Sequence, residues 1–390
     1  MLRLNAVGDF ILTTPAIREV RMNFPDAYIT LVVSKIVAPM AELCPYVNEV
    51  VPFNQNFNRA NFLEVLINVT RFARDFLWKR NYDLGFSFYH LGYLHFTDLI
   101  MLYLSGARER VSYVMESNNI YTGNLIPKEE NLGYYLLTHP ILSPKEICHF
   151  CAKMLYLLTA YGLKIHRTDL EIWYNKKDFL KAQNLIKGFA PGRIKIALGI
   201  TSNGPDRKYP AVKYLEVLKV LIANGASVVI FGGNKEFAEA KFLEDNLPEE
   251  YVINLTKNPP GRRVDAALMS LLDLYIGNFT GTADMATAAK LPVIMISPTP
   301  AIPYDKNGVT TYGEFFPWQA LSIVLSTKSR SQNISQIEPK EIVEAFQKMM
   351  YFIKNSELKK ISCPPVVRGM NGSDVLKFGF EFDNDWEVSQ

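Results

Sequence analysis

Four short loops hold most of the residues that could do chemistry on a ligand. The first, Asn5-Ala6-Val7-Gly8-Asp9, follows a short apolar run and opens a helix. Gly8 allows close approach to the backbone, and the helix dipole favours a charged carboxylate at Asp9. Asp9 could therefore accept a proton from a hydroxyl, or simply cap the helix. The second loop, Thr201-Ser202-Asn203-Gly204-Pro205-Asp206-Arg207-Lys208, offers hydroxyls and cations suited to phosphate oxygens, although Arg207 and Lys208 equally suit a solvated surface. The third, Phe231-Gly232-Gly233-Asn234-Lys235-Glu236, runs from strand to helix through a diglycine. The fourth, Gly277-Asn278-Phe279-Thr280-Gly281-Thr282-Ala283-Asp284, does the same, and the backbone N–H groups of Gly281, Thr282 and Ala283 would point at an anion. No Gly-x-x-x-x-Gly-Lys-Ser/Thr run is present, which argues against a P-loop nucleotidase.

The elements that must carry these loops alternate between strand and helix. Apolar runs at Leu2 to Leu4, 27–33, 47–52 and 83–88 read as strands, with helices at 10–23, 36–43, 61–78 and 97–104. Pro15 predicts a kink in the first helix or a start at Thr14-Pro15. Residues 111–145 read as loop-rich, and a helix is expected over 147–163. The pattern restarts at 194–200 and continues to a last strand at 292–297, with 175–192 as the linker. Residues 299–333 read as mostly loop, and a helix beginning around Glu338-Pro339 closes the ordered pattern. These elements imply an α/β chain with parallel sheets. The expected divisions are two Rossmann-like domains over 1–180 and 190–335, a C-terminal helix over 336–356 and an irregular tail over 357–390.

The composition removes several classes. The chain has 390 residues with 42 Lys plus Arg against 39 Asp plus Glu, a balance unlike the basic excess of nucleic-acid-binding proteins. Four cysteines make no disulfide framework. The apolar stretch from Leu84 to Gly106 carries His90, His95 and Asp98, which a membrane span tolerates poorly, and the N-terminus lacks the form of a secretion signal. A cytoplasmic protein is expected. Cys148-His149-Phe150-Cys151 lies on an apolar-periodic helix with only Cys44 and Cys363 as further thiols, so packing is preferred to a zinc site.

Taken together and in order, the motifs resemble the heptosyltransferases of glycosyltransferase family 9. Arg3-Leu4-Asn5-Ala6-Val7-Gly8-Asp9 with Thr13 and Pro15 is similar to the family's opening R-x-S-x-x-G-D-x-x-x-T-x-P. Phe24-Pro25-Asp26-Ala27, Tyr82-Asp83-Leu84 and Ser105-Gly106-Ala107-Arg108 resemble family phrases at matching distances. Arg207-Lys208-Tyr209-Pro210 resembles K-x-W-P, and Gly277 to Gly281 resembles G-N-D-[ST]-G. The resemblance implies a GT-B fold, two Rossmann-like domains facing across a cleft, and a metal-independent, inverting transfer without a cofactor. It implies a nucleotide-sugar donor, ADP-heptose first, in the C-terminal half, and a lipopolysaccharide core acceptor in the N-terminal half. Asp9 would be the general base, with Asn5, Gly8 and Thr13 beside the acceptor. Arg207 would contact the donor phosphates and Glu236 the nucleoside, with Thr201, Ser202, Asn278, Thr280, Gly281, Thr282 and Asp284 completing the donor side. The chain departs from the pattern at Asn5 for serine, Phe279 for aspartate and Asp284 for histidine. Those changes leave open a different transferred sugar such as a hexose, a protein acceptor, or a lapsed enzyme that only binds its ligands. The basic residues Arg71, Arg74, Lys79 and Arg80 on the helix over 61–78 suggest peripheral contact with an anionic inner membrane.

Overall fold

The computed structural model describes residues 1–54, 62–88, 93–114, 135–144, 147, 149–202, 204, 207–297, 316–327 and 333–355. Every strand pair among the described residues is parallel. In the first half, β1 (Leu2–Arg3), β2 (Thr30–Ser34) and β3 (Glu49–Phe53) form one sheet, and β4 (Leu84–Phe86), β5 (Glu109–Val114) and β6 (His139–Leu142) form another. A single bridge from Leu2 to Ser87 joins them. The strand order is therefore 3-2-1-4-5-6, the doubly wound Rossmann order. In the second half, β7 (Ile194–Gly199), β8 (Ala226–Phe231), β9 (Val252–Asn254), β10 (Leu274–Asn278), β11 (Val293–Ser297) and β12 (Ser322–Ser326) lie in the order β9-β8-β7-β10-β11-β12, which repeats it. β2, β8 and β11 are buried along their whole length, so runs such as ASVVIF carry no polar alternation.

Helix α1 (Val7–Asn23) begins at Val7 and continues through Pro15, which overturns the alternative of a start at Thr14-Pro15. Pro15 cannot donate to the carbonyl of Ile11, and the hydroxyl of Thr14 does so instead at 2.7 Å. Three further expectations are corrected. The segment read as loop-rich contains β5 and β6; β6 is an edge strand, where Pro140 costs no ladder bond. The edge strand β12 sits within the stretch read as loop. The expected linker is largely helical, because Asn175 and Asp178 cap Lys176–Ile186 reciprocally at 3.0 and 3.1 Å. That helix packs on Arg262–Met269, with Arg263 3.1 Å from Asp178. The C-terminal helix Pro339–Asn355 buries Ile342, Ala345, Phe346 and Met349 against the second sheet and Ala211–Ala223. Residues 298–315 and 356–390, and with them Cys363, as well as Cys148, fall outside the described residues.

The principal core does not stop at either sheet. Phe10, Ile11, Ala16 and Ile17 of α1 share it with Ala283, Met285 and Ala286 of the helix Gly281–Ala288, here α2 of the site. Packing of these two helices brings the N-terminus of one against the N-terminus of the other.

Candidate functional site

Both helices begin where the strand order reverses, α1 after β1 and α2 after β10, the position at which doubly wound sheets receive ligands. In the first half the arrangement is built on Arg3. A cation between Leu2 and Leu4 in a buried strand needs partners, and its side chain is completely enclosed. Arg3 donates to the carbonyl of Phe88 at 3.0 Å, lies 4.5 Å over the Phe150 ring, and places Nη2 3.2 Å from Oδ1 of Asp9. The N–H of Ala6 donates to the other oxygen of Asp9 at 3.2 Å. Asp9 thus closes the first turn of the helix, as a cap would, and is also a quarter exposed, so the two readings coexist. It faces a cavity of about 590 Å³ lined by Leu4, Asn5, Ala6, Ser34, Lys35, Ile36 and Asn54. Asn5 Oδ1 has no hydrogen-bond partner among the described residues, while its carbonyl accepts from Ser34 at 2.7 Å. Behind this layer, Asp98 is fully buried and accepts from Ser87 at 3.3 Å; desolvation pushes its carboxyl up to about 7 despite the charge of Arg3.

Thr13 does not belong to this cavity wall. Its side chain is buried and donates to the carbonyl of Asp9 at 2.8 Å, one turn below the carboxylate. Lys35 and Asn54, which the motifs do not single out, do line it. Arg3 lay inside the opening motif, and the signal for its role was its charge within an apolar strand.

In the second half, Asn278 is a strut, contrary to its expected place on the ligand side. It is fully buried, accepts from the Tyr209 N–H at 3.3 Å and the Tyr214 hydroxyl at 3.0 Å, and donates to the carbonyls of Ile200 and Thr201 at 3.2 and 3.1 Å. It therefore fixes the loop after β7 against the start of α2. Thr280 and Thr201 bring their hydroxyl oxygens to 3.0 Å. Ala283 spends its N–H on the Thr280 carbonyl at 2.8 Å, so it is unavailable to an anion; those of Gly281 and Thr282 remain. Glu236 is buried and accepts from the Gly233 N–H at 2.9 Å, which shapes the diglycine turn. Ser202 donates within its own loop to Gly204 at 2.7 Å. Arg207 is exposed on that loop. The ring of His149 caps the helix Phe150–Ala160 and contacts the Phe316 carbonyl at 3.0 Å, and Cys151 is buried with its thiol pKa raised by desolvation.

The two halves meet at Gly8 and Gly281. A side-chain carbon on Gly281 would stand 2.8 Å from the nitrogen of Gly8, so only glycines allow this approach. Asp284 projects from the first turn of α2 into the same joint, with its carboxyl where a side chain on Gly8 would lie. It is 8% exposed, and burial followed by the negative charge of Asp9 holds its pKa well above the usual carboxylate range.

Comparison with known proteins agrees with this architecture. Residues 133–326 match the family of glycosyltransferase family 9 (heptosyltransferase). Lipooligosaccharide heptosyltransferase 2 of Haemophilus influenzae is 27% identical over 127 residues, 32% of this chain and 34% of its own. A crystal structure of the glycosyl transferase family 9 from Veillonella parvula superposes with a TM-score of 0.72 at 18% identity, covering 90% of this chain and 96% of that one. The E. coli heptosyltransferase WaaC with ADP gives 0.63 at 16%, covering 90% and 100%. The fold is GT-B, as the motif order implied. Residues 133–326 of the chain thus carry a glycosyltransferase family 9 (heptosyltransferase) domain.

Proposed function

We propose that the chain is an inverting, metal-independent glycosyltransferase that moves a sugar from a nucleotide-sugar to a cell-envelope glycan. The carrying observation is the placement of Asp9, which is paired with buried Arg3 and opens to the 590 Å³ cavity beside the start of α2. The acceptor occupies the cavity, where Asn5 and Lys35 line the wall and Lys35 offers a cation. Asp9 takes the proton of the acceptor hydroxyl, whose oxygen attacks the anomeric carbon opposite the diphosphate. The bond from that carbon to the diphosphate oxygen breaks with its electron pair on the leaving group. The Gly281 and Thr282 N–H groups and the α2 dipole meet that charge, with Arg207 on the neighbouring loop as counter-ion. ADP-heptose is the first donor to try, since the heptosyltransferase of similar fold holds ADP; a nucleotide-hexose follows, because Phe279 and Asp284 replace the polar pair of the motif. Lipopolysaccharide core is the first acceptor, and the site of action is the cytoplasmic side of the inner membrane; no helix among the described residues is long and apolar enough to cross it.

The test is release of nucleoside diphosphate from the donor in the presence of core glycan, with wild type and Asp9→Asn. General-base help is worth about 10²–10⁴-fold. The variant should bind nucleotide normally and lose turnover on that scale. Turnover near wild type would remove Asp9 from the mechanism, and nucleotide binding without any release by wild type would favour a binding protein.

A further inference from the structure

The carboxyl of Asp284 is enclosed at the joint of the two helices, and the surroundings leave its charge unanswered. Among the described residues it has neither a hydrogen-bond partner nor a cation. The elements packed on α2 are α1, β10, β11 and the helix Arg262–Met269. α1 presents Asp9, already paired with Arg3. β10 presents Tyr275, whose hydroxyl donates to the Asn278 carbonyl at 3.1 Å. β11 carries no titratable group. In Arg262–Met269, Arg262 turns to Asp265 at 3.6 Å and Arg263 to Asp178 at 3.1 Å. The α2 dipole favours ionisation only weakly, whereas leaving a buried charge unpaired is much more costly. Desolvation and Asp9 both act in the opposite direction.

We propose that Asp284 works as a neutral carboxylic acid that donates its proton in a hydrogen bond to the donor's diphosphate at the joint between α1 and α2. The idea rests on the reading of the α2 N-terminus as the diphosphate site, and it names the residue that completes that site. An ionised aspartate can only accept and would repel a diphosphate; the protonated acid supplies a donor beside the Gly281 and Thr282 N–H groups. Burial first, and then the neighbouring negative charge of Asp9, favour the protonated form of Asp284. One ionised and one neutral carboxyl thus serve the acceptor and donor sides of one seam.

Affinity for ADP and for UDP separates the possibilities, measured by calorimetry at one pH near 8 on wild type, Asp284→Asn, Asp284→Ala and Asp284→Leu. Asparagine keeps a donor at the same place and should bind within about threefold of wild type. Alanine should lose roughly 10- to 100-fold, the scale of one hydrogen bond to a charged group. Asp284→Leu, of similar size but without a donor, should lose as much as alanine, and wild-type affinity in it would reveal a residue that merely fills space and overturn the proposal. Asp284→Asn binding tenfold more tightly than wild type would show an ionised, repelling carboxylate and overturn the proposal. Equal affinity in all four proteins would overturn it too, by placing Asp284 out of contact. Absence of any nucleotide binding by wild type would instead remove the donor site itself. Thermal unfolding of each variant verifies that the joint is intact.

Discussion

Replacing Gly8 by alanine tests the joint directly. The added methyl would overlap Oδ2 of Asp284 and stand 2.9 Å from the Cα of Gly281. Non-bonded carbons settle at about 3.5–4.0 Å, so the two backbones must separate by roughly 0.6–1.1 Å even if Asp284 swings aside. Overpacking of that kind costs about 1–3 kcal/mol. The catalytic consequence is larger than the stability cost, because Gly8 adjoins the proposed base Asp9 and Gly281 begins the proposed diphosphate site. A displacement near 1 Å between reacting partners is worth on the order of 10²-fold in rate. Gly8→Ala should therefore fold, melt several degrees lower and lose about 10²-fold in turnover, with nucleotide affinity less affected. Gly281→Ala, whose methyl meets the Gly8 nitrogen at 2.8 Å, should behave alike. Adding Asp284→Ala to Gly8→Ala relieves only the side-chain overlap and should restore stability in part, without the rate. Initial-rate kinetics with thermal unfolding are sufficient, and turnover of Gly8→Ala within about twofold of wild type would refute a rigid glycine joint.

Thr14→Val removes the donor to Ile11 and the acceptor of the Glu171 N–H, 3.0 Å away, so it should destabilise by about 1–3 kcal/mol with KM unchanged; equal denaturation midpoints would contradict this. Asp98 binds its proton more tightly folded, at about 7, than at the ordinary 3.8, so its contribution to stability is complete below about pH 4 and lost as pH rises through 7. Asp98→Asn should erase that part of the slope, and identical slopes for both proteins in denaturant titrations between pH 4 and 8 would refute it. Phe279→Asp with Asp284→His should raise use of ADP-heptose relative to nucleotide-hexoses; unchanged donor preference would show that neither position reads the sugar. Arg74 pairs with Asp75 and Arg80 with Glu49, so binding of the Arg71 and Lys79 surface to anionic vesicles should be weak and salt-sensitive. Binding that does not change with salt would count against that contact.

The alternation of apolar runs with amphipathic segments sufficed to read two parallel α/β halves, because fully buried strands such as ASVVIF leave a mark in the residues themselves. The loop residues Gly8, Asp9, Gly281 and Thr282 were legible for the same reason, each being demanded locally by a strand-to-helix turn. Edge strands escaped notice: β6 contains Pro140 and β12 is only SIVLS, and their neighbours rather than their composition make them strands. Pro15 looked like a break until Thr14 was seen to serve Ile11. Asn278 and Thr13 carried the types expected of ligand contacts, yet the direction of a side chain follows from what packs around it, and theirs point into the protein. Most of all, Asp9 and Asp284 lie 275 positions apart, and no local pattern couples them. Their confrontation arises only when α1 and α2 share a core, since burial and proximity of charge are properties of the assembled chain.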